Sequence, residues 1–202
     1  MLFPELYEIA AEHEGPHVPF ELLRQHVNAH HQGVGRVDVR LVQFDRPNRQ
    51  AFYWLADTER DSPYDDEYTV AEIIGCDTLR EHPRERRYAL SKELMHVFDT
   101  EEQRAGSPEE FRALVTEIQN RPLPQHASPM MKSELDTRWM AALCLCPKHR
   151  RDAFLPQYPD KIASFEIAEE LRIPEWVVPF IMDKYYDKAY KALIEDGKSG
   201  CS

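Results

Sequence analysis

Arg86-Arg87-Tyr88-Ala89-Leu90-Ser91-Lys92-Glu93-Leu94-Met95-His96-Val97-Phe98 is the stretch on which the reading of this chain turns. Lys92 and His96 are four residues apart, so on a helix they project from one face, one turn apart, with Glu93 beside them. Immediately upstream the hydrophobic period is that of strands. Val37, Val39 and Leu41 alternate with Asp38, Arg40 and Val42, and residues 51–56 and 68–74 read as two more strands around an acidic connection, 57–67. Before the sheet, Leu2, Leu6, Ile9 and Ala10 mark a first helix with Pro4 in its first turn and Gly15-Pro16 as its stop. Phe20, Leu23 and Val27 mark a second helix, from about Pro19 to the Gly33–Gly35 region. Helical spacing resumes at Pro83 and predicts helices over about 83–98, 108–118, 131–145, 161–171 and 174–193, with Pro179 kinking or dividing the last. Ser107 and Glu110 form a capping box around Pro108, and the proline-rich stretch 121–129 reads as a loop. Helices, a small three-stranded sheet, then helices make an α+β chain.

Composition bounds the function. Among 202 residues there are 25 Lys plus Arg against 36 Asp plus Glu, a net charge of −11, which disfavours non-specific binding to nucleic acid or to an anionic membrane. Residues 1–15 carry four Glu and no Lys or Arg, unlike a signal peptide, and the most apolar stretch, 139–147, is far shorter than the roughly 20 residues that span a bilayer. Cys76, Cys144, Cys146 and Cys201 lack the dense spacing of a disulfide framework, so free thiols and a cytoplasmic location are expected.

The chemistry of the opening stretch is that of a broken metal motif. In H-E-x-x-H two histidines one turn apart bind Zn²⁺ while the intervening Glu polarises the attacking water; here the first histidine position holds Lys92. A Lys-Glu pair of this kind also serves on many solvated helix faces, so the string alone does not decide.

Its neighbours extend the match. The segment resembles the R-R-[FY]-T-L-A-H-E-L-G-H signature of the ImmA/IrrE family of metallopeptidases through Arg86, Arg87, Tyr88, Leu90, Glu93, Leu94 and His96, with Ala89, Ser91, Lys92 and Met95 as departures. That family carries a third metal ligand, a Glu, in a later helix with the pattern E-x-x-A-N-x-F-A-x-x-L-L-M-P. Glu134, Ala141, Leu145 and Pro147 fall in matching places, whereas Thr137, Arg138, Met140, Cys144 and Cys146 depart from it. Ile167-Ala168-Glu169-Glu170-Leu171 and Ile173-Pro174-Glu175-Trp176-Val177-Val178 resemble the family's helix-turn-helix tail. The resemblance covers about residues 34–183. It implies a zincin-like fold in three segments forming one compact unit: N-terminal helices (1–33), a peptidase-like core (34–160) and a helical tail (161–202).

The resemblance implies His96 and Glu134 as metal ligands and Glu93 as the catalytic carboxylate, with Lys92 at the substituted ligand position. A catalytic zinc needs three protein ligands and an open position. A lysine amine must first lose its proton, at about 4–5 kcal/mol at neutral pH, before it can coordinate. One expectation is therefore a degenerate, metal-free centre in which the Lys92 ammonium pairs with Glu93 or Glu134. Such a pseudo-peptidase would act by binding a protein partner, such as a phage or prophage transcriptional regulator. The alternative is a divergent zinc-dependent endopeptidase that cleaves a helix-turn-helix repressor, its site completed by another residue or water. Zinc is expected only on that second reading.

Other candidate ligands carry blander readings. Cys144-x-Cys146-x-x-His149 would be brought together only by a break at Pro147, and two small buried apolar side chains is the simpler account. His26, His30 and His31 read as exposed helix histidines, and Asp99, three residues beyond His96, is placed to approach it from the next turn. The aromatic run Trp176, Phe180, Tyr185, Tyr186 and Tyr190 reads as helical core packing or a partner-binding face. Arg80, Arg84, Arg86, Arg87, Lys148, Arg150 and Arg151 flank the two motif helices in sequence, which predicts a basic border around the site.

Overall fold

The computed structural model describes residues 1–44, 50–60, 62, 64, 67–104, 108–120 and 126–199. Helix α1 (Phe3–Glu12) begins with Pro4 in its first turn and Glu5 accepting the Leu2 N–H at 2.6 Å, and buries Phe3, Leu6, Tyr7 and Ala10 on one face. Helix α2 (Phe20–His30) buries Phe20, Leu23 and Val27 in the same way. Strands β1 (Arg36–Val42), β2 (Ala51–Glu59) and β3 (Tyr68–Cys76) form a mixed sheet in the order β1-β3-β2, parallel between β1 and β3 and antiparallel between β3 and β2.

The register follows the period-two pattern. Val37 pairs with Ala71, Val39 with Ile73, Tyr53 with Ile73 and Leu55 with Ala71, so these side chains share one face and pack into the core. An irregularity between Leu55 and Asp57 shifts the β2 register. Gly75 allows β1 to come close: a Cβ there would lie 2.7 Å from Leu41 Cδ2.

Helix α3 (Pro83–Leu94) packs on β2 and β3. It was expected to run to Phe98, but it tightens into a 3₁₀ turn over Met95–Phe98. A further 3₁₀ turn (Glu101–Gln103) and helix α4 (Pro108–Asn120) follow. Ser107 of the expected capping box lies outside the described residues, as do residues 121–125 of the expected loop and Asp61, Asp65 and Asp66 of the acidic connection.

Helix α5 (Pro129–Leu145) starts two residues earlier than the spacing implied, because Ser128 caps it by accepting the Met131 N–H at 3.1 Å and Pro129 fits the first turn. It packs against α1 and α3. Helix α6 (Lys148–Phe154) was not anticipated. Its inward positions are Arg151 and Phe154, and an arginine breaks the hydrophobic pattern even when it is buried.

Helix α7 (Ser164–Leu171) is shorter than expected, since Glu166 accepts the Ala163 N–H at 2.8 Å and fixes the start there. The expected long final helix is in fact divided into a 3₁₀ turn (Glu175–Val177), α8 (Val178–Met182), α9 (Tyr185–Tyr190), a π-helical turn (Lys191–Glu195) and α10 (Asp196–Ser199). Pro179 stands in the first turn of α8, so of the two expected effects it divides the pattern by starting a new helix and does not kink a continuous one. The break falls at Asp183, whose backbone is extended and whose carboxylate accepts the Tyr185 N–H at 2.8 Å.

Among the described residues the main apolar core reaches from Phe3 through Val37, Ile73, Leu94 and Leu143 to Ile194, and a small second cluster joins Ala51, Leu79 and Ala89. Among the described residues no helix is long and apolar enough to cross a membrane.

Candidate functional site

α3 and α5 lie against one another, and at their contact four ionisable side chains are buried together: Lys92, Glu93, His96 and Glu134 are 9%, 5%, 8% and 6% exposed. Lys92 and Glu93 come from the last turn of α3, His96 from the 3₁₀ turn and Glu134 from the second turn of α5.

Lys92 Nζ is the hub. It lies 2.6 Å from Glu134 Oε2, 3.2 Å from Glu93 Oε1 and 3.1 Å from His96 Nε2. An ammonium has three protons, and these are three acceptors. The rest of the network orients the imidazole. His96 Nδ1 is 2.7 Å from Asp99 Oδ2, so Nδ1 carries the proton and donates it, which leaves the Nε2 lone pair to accept from Lys92. Ser133 Oγ donates to Asp99 Oδ1 at 2.7 Å and lies 3.2 Å from His96 Nδ1.

The tightening after Leu94 has a role here. In a 3₁₀ turn residues three apart eclipse, which sets Asp99, the residue that ends the turn, over His96. Tyr53 of β2 covers the other side of the imidazole, ring centroids 5.9 Å apart at an interplanar angle of 30°. Its phenol is pushed well above the usual range, by burial first and with Arg104 lowering and Asp99 raising it.

The arrangement limits the chemistry. Ser133, His96 and Asp99 are not a nucleophile triad, because hydroxyl and carboxylate meet the same ring nitrogen, whereas a triad places them on opposite nitrogens. Glu93 Oε2 and Glu134 Oε1 stand 3.7 and 3.8 Å from His96 Nε2, so three ligand-type groups converge where a cation belongs. The residues do not fit a metal there, since the ammonium of Lys92 occupies the point of convergence and a dication would meet a positive charge at contact distance. Among the described residues no group of three His, Cys, Asp or Glu is arranged to hold a metal ion.

The other candidates are placed elsewhere. Cys144 and Cys146 are fully buried in the core, and burial pushes both thiols up, that of Cys146 to about 12. His149 is exposed on α6. His26, half-buried instead of exposed, and the exposed His30 lie side by side on α2, their rings tilted at 50° with centroids 4.4 Å apart. His31 is not an exposed helix histidine: it ends α2, and its Nδ1 accepts the N–H groups of Gly33 and Val34 at 3.2 and 3.0 Å.

The basic border is also corrected. Arg84 pairs with Glu169, Arg80 donates to the Leu41 carbonyl, and Lys148 pairs with Asp152 and Asp187. Arg87 and Arg150 hold backbone carbonyls of other segments. Arg151, 2% exposed, donates to the Ile181 carbonyl at 2.9 Å and to Asp187 at 3.2 Å, and lies over the Tyr186 ring. Arg84, Arg87, Lys148, Arg150 and Arg151 thus serve contacts that join the tail and the N-terminal segment to the core.

Sequence reasoning missed Ser133 and Tyr53. Ser133 adjoins Glu134, and Tyr53 occupies a core-facing β2 position between Ala51 and Leu55, so both carried a positional signal that depends on knowing which helix α3 meets. No protein-family model, no curated protein and no solved structure matches this chain.

Proposed function

We propose that this chain is a zincin-like pseudo-peptidase of the ImmA/IrrE type, working in the cytoplasm, in which the Lys92 ammonium stands in for the metal and the protein acts by binding a protein partner without hydrolysing it. The carrying observation is the position of Lys92 Nζ, held at 2.6 to 3.2 Å by Glu134, His96 and Glu93. The acceptor lone pairs that would bind zinc are engaged by its three protons. Glu93, the residue that polarises water in H-E-x-x-H, is instead an ion-pair partner. A transcriptional regulator of phage or prophage type is the partner class that the sequence resemblance suggests.

Metal analysis of the purified protein tests the reading. The wild type is expected to carry no stoichiometric zinc even after zinc addition and desalting, and Lys92→His to gain one equivalent. Stoichiometric zinc in the wild type that is lost in His96→Ala would overturn it in favour of a divergent zinc endopeptidase.

A further inference from the structure

A cavity of about 380 Å³ opens between α5, α9 and the π-helical turn that follows α9. It is separate from the Lys92 cluster. Two residues along a helix turn a side chain by about 200°, so Asp136, which borders the cavity, leaves α5 on nearly the opposite face from Glu134.

The walls are held in place by packing. Trp139 of α5 stacks on Phe180 with ring centroids 3.8 Å apart at an interplanar angle of 27°, and meets Tyr186 edge-on at 6.5 Å, so the indole is fixed before any ligand arrives. On the α9 side, Ala189 and Ala192 present only methyl groups, which keeps the space open, and Leu193 adds an apolar surface. Ala192 and Leu193 belong to the π-helical turn Lys191–Glu195, a wider coil of a kind that recurs at functional sites.

The two charged groups of the lining are unequally engaged. Lys188 places its ammonium over the Tyr185 ring, 4.9 Å from the centroid, where Lys184 also lies at 5.6 Å. The half-buried Asp136 carboxylate makes no hydrogen bond or ion pair among the described residues, in contrast to Glu134 on the same helix, which is paired with Lys92. A carboxylate withdrawn from much of its water and left without a donor carries a cost that a bound cation relieves.

We propose that this cavity binds a small aromatic amine, its ring against Trp139 and Leu193 and its ammonium ion-paired with Asp136. The volume lies toward the small end of ligand pockets, which suits one ring on a short chain. An anionic ligand would meet the Asp136 charge, and a purely apolar one would bury that carboxylate without a partner.

Titration with phenethylamine tests the proposal, followed by backbone amide resonances of α5 and α9 and by the indole N–H of Trp139, which Trp139→Phe identifies by its loss. Saturable shifts with a dissociation constant of about 1 mM or below are expected. Ethylamine has the cation without the ring and phenylpropionate has the ring with the opposite charge, so each should bind about tenfold more weakly or worse. Asp136→Asn keeps the shape and removes the charge; it should weaken phenethylamine about tenfold and leave the remaining amide spectrum folded. Ala189→Phe fills the space and should abolish binding. Phenylpropionate binding as tightly as the amine, undiminished affinity in Asp136→Asn or Ala189→Phe, or no saturable shift at the cavity residues would overturn the assignment.

Discussion

Lys92 Nζ and Glu134 Oε2 lie 2.6 Å apart across 42 residues of sequence, and this contact ties the end of α3 to the start of α5. Both side chains are largely removed from water, 11% and 7% exposed, so the pair is sensitive to loss of either partner. Lys92→Met is expected to destabilise the protein by about 3–5 kcal/mol, because Glu93 and Glu134 are left buried without their cation. Lys92→Met combined with Glu134→Gln should recover a large part of that loss. Urea unfolding of both variants checks it; a single variant as stable as the wild type would contradict the ion-pair account.

Asp99 sets the tautomer of His96. Wild-type protein should show the Nδ1–H form in long-range ¹⁵N–¹H spectra. In Asp99→Asn the amide can donate to Nδ1, which forces the proton to Nε2, where it faces the Lys92 ammonium 3.1 Å away. The expected cost is about 1–3 kcal/mol of unfolding free energy, accompanied by the switch of tautomer.

The Asp136 carboxyl is raised by burial, then by Asp99, with Lys132 opposing. It borders an open cavity of about 380 Å³ between α5 and α9, together with Trp139, Tyr185 and Lys188. A carboxyl raised in the folded state stabilises most when protonated, below the unfolded pKa, and that contribution is lost as pH rises through the folded value. Asp136→Asn should therefore raise the thermal midpoint at pH 7, by about a degree or two given the partial solvent exposure, and leave it unchanged near pH 3. Midpoints measured at the two pH values decide the matter.

Cys144 and Cys146 should resist a water-soluble thiol reagent in the native protein, because both are fully buried and burial disfavours the thiolate. Peptide mapping after labelling should find Cys76 modified before either of them, since it is the partly exposed thiol among the described cysteines; Cys201 lies outside the described residues. Both buried thiols should appear only with global unfolding.

Much of the fold was legible because its signals are local. The switch from alternating residues at Val37–Leu41 to helical spacing after Pro83 identified the sheet and the helix that packs on it. Helical spacing placed Lys92 and His96 on one face, whereas Glu134 came only from the family resemblance, through the match of Glu134, Ala141, Leu145 and Pro147 to its later-helix pattern. Illegible features depend on long-range contacts. The short helix α6 escaped because Arg151 buries its charge against Asp187, Ile181 and Tyr186, partners 30 to 36 residues away. The 3₁₀ turn after Leu94 escaped because Met95, His96 and Val97 suit an α-helix equally well, and the contact between Asp99 and Ser133 joins that turn to a different helix. The basic residues misled because one-dimensional proximity to the motif helices says nothing about which side they leave from, and Arg87 and Arg150 leave toward the α1–α2 connection.

The cation joining α3 to α5 travels on the polypeptide itself. Its supply at Glu93, His96 and Glu134 is fixed by a four-carbon tether, so dilution, chelators and competing ions cannot deplete it, and no loading step separates synthesis from a complete cluster. A bound ion's occupancy would track its free concentration in solution, whereas the presence of the ammonium beside Glu93, His96 and Glu134 follows from the fold itself.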